Sequence, residues 1–152
     1  MLPATTARVP LHTPQRYNEA IRRQTEENIV RVAAGGPQAI ERRLQELDQE
    51  WDMERALKAN ASMVALVGLG LGTLVDRRFY LLPGLVCGFL LQHALQGWCP
   101  PVPLFRHLGT RTASEIDYER YALKALRGDF RSLTATDGRR SSTSLAMEAA
   151  RR

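Results

Sequence analysis

The chain has 152 residues, a net charge of +5 and an ordinary 44% share of hydrophobic residues. That length allows one ordinary domain, and the lone pair Cys87 and Cys99 excludes a disulfide framework. No zinc-finger spacing or aromatic-rich basic strand directs the positive charge to nucleic acid; it flanks one apolar block instead, which points to anionic lipid.

Residues 1–12 are expected to form a disordered arm, with no apolar run that would serve as an export signal. Arg22-Arg23 is followed by Gln24, Glu26 and Glu27, not by the apolar segment of a twin-arginine signal. Thr13-Pro14 starts a polar helix with a capping residue and a proline. It carries Tyr17, Ile21, Ile29 and Val32 and runs to about Ala34, where Gly35-Gly36 ends it. From Pro37 to about Lys58 a second helix is expected. Its Ile40, Leu44, Leu47 and Trp51 recur at steps of four, three and four, which lines one helical face. Three uses suit such a helix: lying on a membrane with Trp51 at headgroup level, zipping to a second copy, or packing on its neighbour as a solvated helix. Residues 13–58 thus form a helical arm.

The apolar block follows. From Ala56 to Val75 only Lys58 is charged, and Phe79 to Trp98 carries no charge. Twenty residues rising ~1.5 Å each span ~30 Å, the thickness of a bilayer core. Asp76, Arg77 and Arg78 make the turn between the two runs. The expected fold is all-α, a membrane helical hairpin (56–98) of two transmembrane helices, 56–75 and 79–98, flanked by amphipathic helices. Beyond it, "CPPVPLF" holds three prolines and is expected to be an exit loop without regular helix. Thr112-Ala-Ser-Glu115 has the form of a capping box, with Ser114 as a competing cap. The helix it opens would show Ile116, Leu123, Leu126 and Phe130 on its apolar side and end at Gly128, within a segment 99–130. Residues 131–152, rich in Ser, Thr, Arg and Ala, have the composition of a disordered tail.

Gly68, Gly70 and Gly72 resemble the start of a nucleotide-binding loop, but Thr73 stands where the third glycine of G-x-G-x-x-G belongs. No Lys-Ser/Thr pair follows either, so no nucleotide cofactor is expected. In a membrane the glycines have another use. Gly68 and Gly72 are four apart, as are Gly84 and Gly88, and small residues at that spacing let helix backbones approach closely. The first pair lies five and nine residues before Arg77 and the second seven and eleven after it, at similar depth. These stripes are expected to face each other or a second copy. Gln92, His93 and Gln96 fall at the depth of Asn60 and Ser62. They would pin the hairpin by hydrogen bonds between helices, or form a polar site for a small ligand or ion.

Cys99 sits where the second span meets water, and an accessible thiol there would react once ionised. Cys99, His93 and His107 are too loosely spaced to call for a metal, and no metal is expected. The arms' carboxylates lie on charged helical faces and read as solvated, with no nucleophile–base pair, so no enzyme is expected. Arg42, Arg43, Arg55 and Lys58 precede the block and Arg106 and Arg111 follow it, against Arg77 and Arg78 in the turn. That bias places both termini in the cytoplasm.

Asn60, the glycines of both spans, Gly97-Trp98-Cys99-Pro100 and Leu108-Gly109-Thr110 together resemble the YgaP-like transmembrane domain family of bacterial inner-membrane proteins, over about residues 55–112. The resemblance implies a two-helix hairpin in the bacterial inner membrane, often a homodimer. Some members of that family add a rhodanese domain, which transfers sulfur through a cysteine in an anion-binding loop. This sequence holds no such loop, so that activity is not carried over. The reading is a multi-pass membrane anchor or assembly component, not an enzyme, whose partners are the lipid bilayer, a second copy and a cytoplasmic protein. The alternative is a membrane protein handling thiols or small solutes through Cys99 and the Gln92–His93–Gln96 band.

Overall fold

The computed structural model describes residues 8–130. The expected arm over 1–7 and the tail over 131–152 lie outside the described residues. Within them the fold is all-helical, with no strand. The α-helices are α1 (Gln15–Ala34), α2 (Gly36–Gln49), α3 (Met53–Leu74), α4 (Leu81–Gln96), α5 (Val102–His107) and α6 (Ala113–Arg127). Short 3-10 turns occupy Pro10–His12 and Arg77–Tyr80. The described residues divide into two compact units, 8–23 with 51–116 and 24–50 with 117–130.

In the first unit α3 and α4 form the hairpin. Asp52 caps α3, its side chain accepting from the Arg55 amide at 2.7 Å, which satisfies one orphan N–H of the first turn. The single helix expected over residues 37–58 is therefore two helices, broken at residues 50–52. Trp51 falls in the break, half-exposed, with the Arg55 guanidinium 4.4 Å above its ring. At the turn Asp76 accepts from the Arg78 amide at 2.8 Å and caps the 3-10 segment. The second long helix is shorter than its apolar run over 79–98: α4 begins at Leu81, Phe79 and Tyr80 being taken by the 3-10 turn, and ends at Gln96. Pro83 is tolerated as its third residue, because the first-turn amides have no helical acceptor to lose. Gly97 closes α4 with φ of 76°, a left-handed backbone that glycine adopts without a Cβ penalty.

Two expectations fail here for local reasons. The exit run "CPPVPLF" is not without helix, since α5 covers Val102–His107. Its prolines fall just before the helix and in its first turn, where a missing amide proton costs nothing. Residues 8–12, expected to be disordered, are built into the unit: Val9 is fully buried in a cluster with Met53, Leu57, Cys99 and Val102, and Phe89, Leu90 and Phe105 pack against it.

The second unit joins α2 to the later part of α6. Ile40, Leu44 and Leu47 of α2 are buried, as their spacing requires, and so is Leu123. Glu119 is wholly buried and binds Arg43 through Nε at 2.7 Å and Nη2 at 3.2 Å. That pairing holds the Arg43 guanidinium above its usual range, against the opposing effect of burial; Glu46 adds to it. Arg120 donates to the Leu47 carbonyl at 3.2 Å and to Asp48 at 3.0 Å, and Arg127 pairs with Glu41. The reading of the arms' carboxylates as solvated is thus corrected for Glu119. Leu126, expected on the apolar side of α6, is mostly exposed.

The capping box at the start of α6 is present. The Thr112 amide donates to Glu115 Oε2 at 2.8 Å, and the Glu115 amide reaches Thr112 Oγ1 at 3.4 Å. Thr112 Oγ1 also lies 3.1 Å from Ser114 Oγ.

Candidate functional site

The four glycines divide by face. A Cβ on Gly68 would come within 2.7 Å of Pro83 Cδ and 3.1 Å of Leu82 Cβ, and one on Gly72 within 2.8–3.0 Å of the Tyr80 ring. These two glycines let α3 approach the turn and the start of α4, where Thr73 Oγ1 also meets the Tyr80 hydroxyl at 3.1 Å. A Cβ on Gly84 or Gly88 would meet nothing within 4 Å beyond its own helix. The two pairs therefore do not face each other within the chain. Equal depth fixed the level of each glycine but not its azimuth, and the 3-10 turn at Arg77–Tyr80 offsets the angular count on which a facing pair depends.

The polar residues of the far end separate in the same way. His93 is buried and its Nε2 lies 3.1 Å from Glu54 Oε1, a hydrogen bond between α4 and α3. Its Nδ1 has no hydrogen-bond partner among the described residues. Gln92 and Gln96 bond only weakly to each other, at 3.5 Å along one face of α4, away from that pair. Asn60 donates to the Ala56 carbonyl one turn back, at 2.9 Å. The Gln92–His93–Gln96 band is thus not one site. Glu54, His93's partner, went unnoticed in the sequence because it sits among Asp52, Arg55 and Lys58 and looks like one more surface charge.

Cys99 lies beneath the surface, 2% exposed in the Val9–Met53–Leu57–Val102 cluster. Burial pushes its thiol up from the ordinary value of 9.0 and the Glu54 charge adds to this, while a backbone hydrogen bond with Val102 opposes it. A thiolate is the reactive form, so this environment suppresses the chemistry expected of an accessible thiol. Arg106 is buried against Glu115 by two bonds of 2.7 and 2.9 Å, with Asn18 Oδ1 at 2.7 Å and the Thr110 carbonyl at 3.2 Å. His107 packs its ring edge-on to Tyr17, with centroids 5.4 Å apart. Burial raises the Glu115 carboxyl, but the bonds from Arg106 and the Thr112 amide outweigh it, so Glu115 titrates below the ordinary 4.5. Arg8 donates to the Ala94 carbonyl at 3.1 Å and to that of Leu95, satisfying acceptors at the α4 C-terminus. A Cβ on Gly97 would lie 2.5 Å from Arg8 Cβ, a second reason for glycine there.

One concave feature brings expected site residues together. A slot of about 370 Å³ runs between α3 and α4, walled by Asn60, Ala61, Val64, Val86, Phe89 and Leu90, and closed at one end by Cys99 and the residues of α5. Its lining is apolar apart from the Asn60 amide and the Cys99 thiol. Among the described residues no group of three or more His, Cys, Asp or Glu side chains could hold a metal ion.

The stretches Gly36–Leu74, which includes α3, and Arg77–Gln96, which includes α4, each contain a window long and apolar enough to cross a membrane, of which only 17% and 6% is buried within the chain. Compared with family models, with curated proteins and with solved structures, the chain matches none.

Proposed function

We propose that this chain is a membrane-embedded helical hairpin acting as an anchor or assembly component, without enzymatic activity, and with both termini in the cytoplasm. The observation that carries this reading is the exposure of its most apolar helices. Met63, Leu66, Leu74, Leu81 and Leu91 are each more than 60% exposed on α3 and α4. In water each such side chain would forgo roughly 1.5–3 kcal/mol of burial. In a bilayer the same surface is matched by its solvent, and only the backbone needs internal partners, which helices provide. Large apolar side chains left this exposed on two long packed helices point to a membrane or a partner.

The resemblance to YgaP-like transmembrane proteins supports the same placement, a bacterial inner membrane, and a second copy as one partner. The charged second unit, with its Arg43–Glu119, Arg120–Asp48 and Arg127–Glu41 pairs, suits the cytoplasm and a protein partner there. The buried Cys99, with its raised pKa, favours this structural role over thiol handling. Alkaline carbonate washing of membranes from expressing cells tests the reading. The protein is expected in the pellet, and release into the wash would overturn the hairpin as an integral element.

A further inference from the structure

We infer that the groove between α1 and α2 binds a phosphate dianion, free or as the terminal group of a small phosphomonoester, through the guanidinium groups of Arg31 and Arg42. The site lies within the second unit and does not depend on the membrane reading. The chain turns at Gly36, whose φ is 78°, and the turn is tight: a Cβ on Gly35 would lie 2.7 Å from Ala39 Cβ. Beyond it the two helices enclose a concavity of about 330 Å³, lined by Asn28, Arg31 and Val32 from α1 and by Ala39, Arg42, Arg43 and Glu46 from α2. The steps of three and one on α1, and of three, one and three on α2, put each set on one helical face. Asn28 and Arg42 both stand seven residues from Gly35. At ~1.5 Å per residue that is ~10 Å along each helix, so the polar groups of the two walls lie at one level. Val32 and Ala39 line the end nearest the turn.

The charge of this groove is lopsided, with three guanidiniums against one carboxylate. Arg43 is already met: Nε and Nη2 bind Glu119, and Nη1 binds Glu46 at 2.9 Å. The Glu46 bond also holds the groove's one carboxylate to a cation, which weakens its repulsion of an incoming anion. Arg31 donates to the neutral side-chain oxygen of Asn28, and Arg42 has no partner among the described residues. Two positive charges on different helices thus line one concavity with no carboxylate of the chain bound to either. Their planar donor forks suit phosphate, whose oxygens accept paired hydrogen bonds. A phosphomonoester carries about −1.5 to −2 charges at neutral pH, which matches the two guanidiniums, whereas a phosphodiester or a carboxylate carries a single charge. Asn28, whose Oδ1 is held by Arg31, presents its side-chain N–H groups as further donors. The volume lies at the lower end of the range for small-molecule sites, roughly 300–1,000 Å³. It therefore admits the phosphate with only a small organic group behind it, against Val32 and Ala39.

The test is isothermal titration calorimetry of the full chain in non-ionic detergent with inorganic phosphate, at constant ionic strength because salt screens exposed charges. Arg31→Gln and Arg42→Gln each remove one of the two charges, and Arg23→Gln removes a charge from α1 outside the groove. All three side chains are exposed, so circular dichroism is expected to show the wild-type helix signal in each variant. The expected result is one phosphate bound per chain, with Kd raised about tenfold or more in Arg31→Gln and in Arg42→Gln and unchanged in Arg23→Gln. Equal weakening in all three would overturn the site in favour of diffuse attraction to a basic protein, and so would a titration without saturation. Dihexanoylphosphatidylglycerol, a short-chain phosphodiester, is titrated in a parallel arm and is expected to bind more weakly than phosphate. Tighter binding of that lipid, lost in the same two variants, would overturn the dianion in favour of a lipid headgroup.

Discussion

At the scale of single residues, the molecule places charge where a surface reading would not look for it. Arg106 is 1% exposed and its charge is met by Glu115, Asn18 and the Thr110 carbonyl. Removing one partner of such a pair leaves an uncompensated buried charge, which costs about 3–5 kcal/mol. Glu115→Gln is expected to lower stability by that order at neutral pH, seen as a drop in Tm by circular dichroism in detergent. Its acid dependence follows from the sign of the shift. The folded Glu115 carboxyl titrates below the ordinary 4.5, so its stabilising effect is complete above that value and is lost as pH falls through the folded one. The gap between wild type and Glu115→Gln should therefore close in acid below pH 4.5 and stay constant above it. A gap unchanged from neutral pH into strong acid would mean that the pair does not carry the effect.

At the scale of elements, what the sequence makes legible is local. The Thr112–Glu115 capping box, the Gly128 stop and the burial of Ile40, Leu44 and Leu47 depend on neighbours three or four residues away, and all are found. The contacts that assemble the units join residues far apart: Glu54 with His93, Arg43 with Glu119, Arg106 with Asn18. No periodicity announces these, because a carboxylate facing a buried arginine and one facing water occupy the same kind of helical position. The glycine pairs show the same limit within one element. Gly68→Leu must displace Pro83 and Leu82, whereas Gly84→Leu enters open space. Overpacking costs typically 1–3 kcal/mol, while replacing an exposed helical glycine gains up to about 1 kcal/mol of helix propensity. Gly68→Leu is thus expected to lower Tm by several degrees, and Gly84→Leu to leave it unchanged or slightly higher. Equal damage from both would show that the Gly84–Gly88 face is covered in the assembled protein.

At the scale of the whole molecule, the membrane hairpin proposed above would take its orientation from charges whose local roles differ. Arg43 and Arg106 are tied up in ion pairs and Arg111 is buried, whereas Arg42, Arg55 and Lys58 are exposed, so only part of the arms' positive charge faces solvent once the protein is folded. Orientation is set during insertion, however, before those pairs form, and acidic residues contribute little to it. The relevant count is therefore that of the unfolded chain: Arg42, Arg43, Arg55, Lys58, Arg106 and Arg111 on one side against Arg77 and Arg78 on the other. The structure offers a clean way to read the outcome. Cys99 is buried and Cys87 lies within α4, so replacing both with alanine leaves a chain in which a single new thiol reports its own side. Arg77→Cys at the turn and Gln45→Cys on the exposed face of α2 are the two probes. With both termini inside, a membrane-impermeant maleimide added to intact spheroplasts labels Arg77→Cys at once and Gln45→Cys only after permeabilisation. The reverse pattern would invert the hairpin, and it would then be the two turn arginines, not the six on the arms, that determine which way the protein faces.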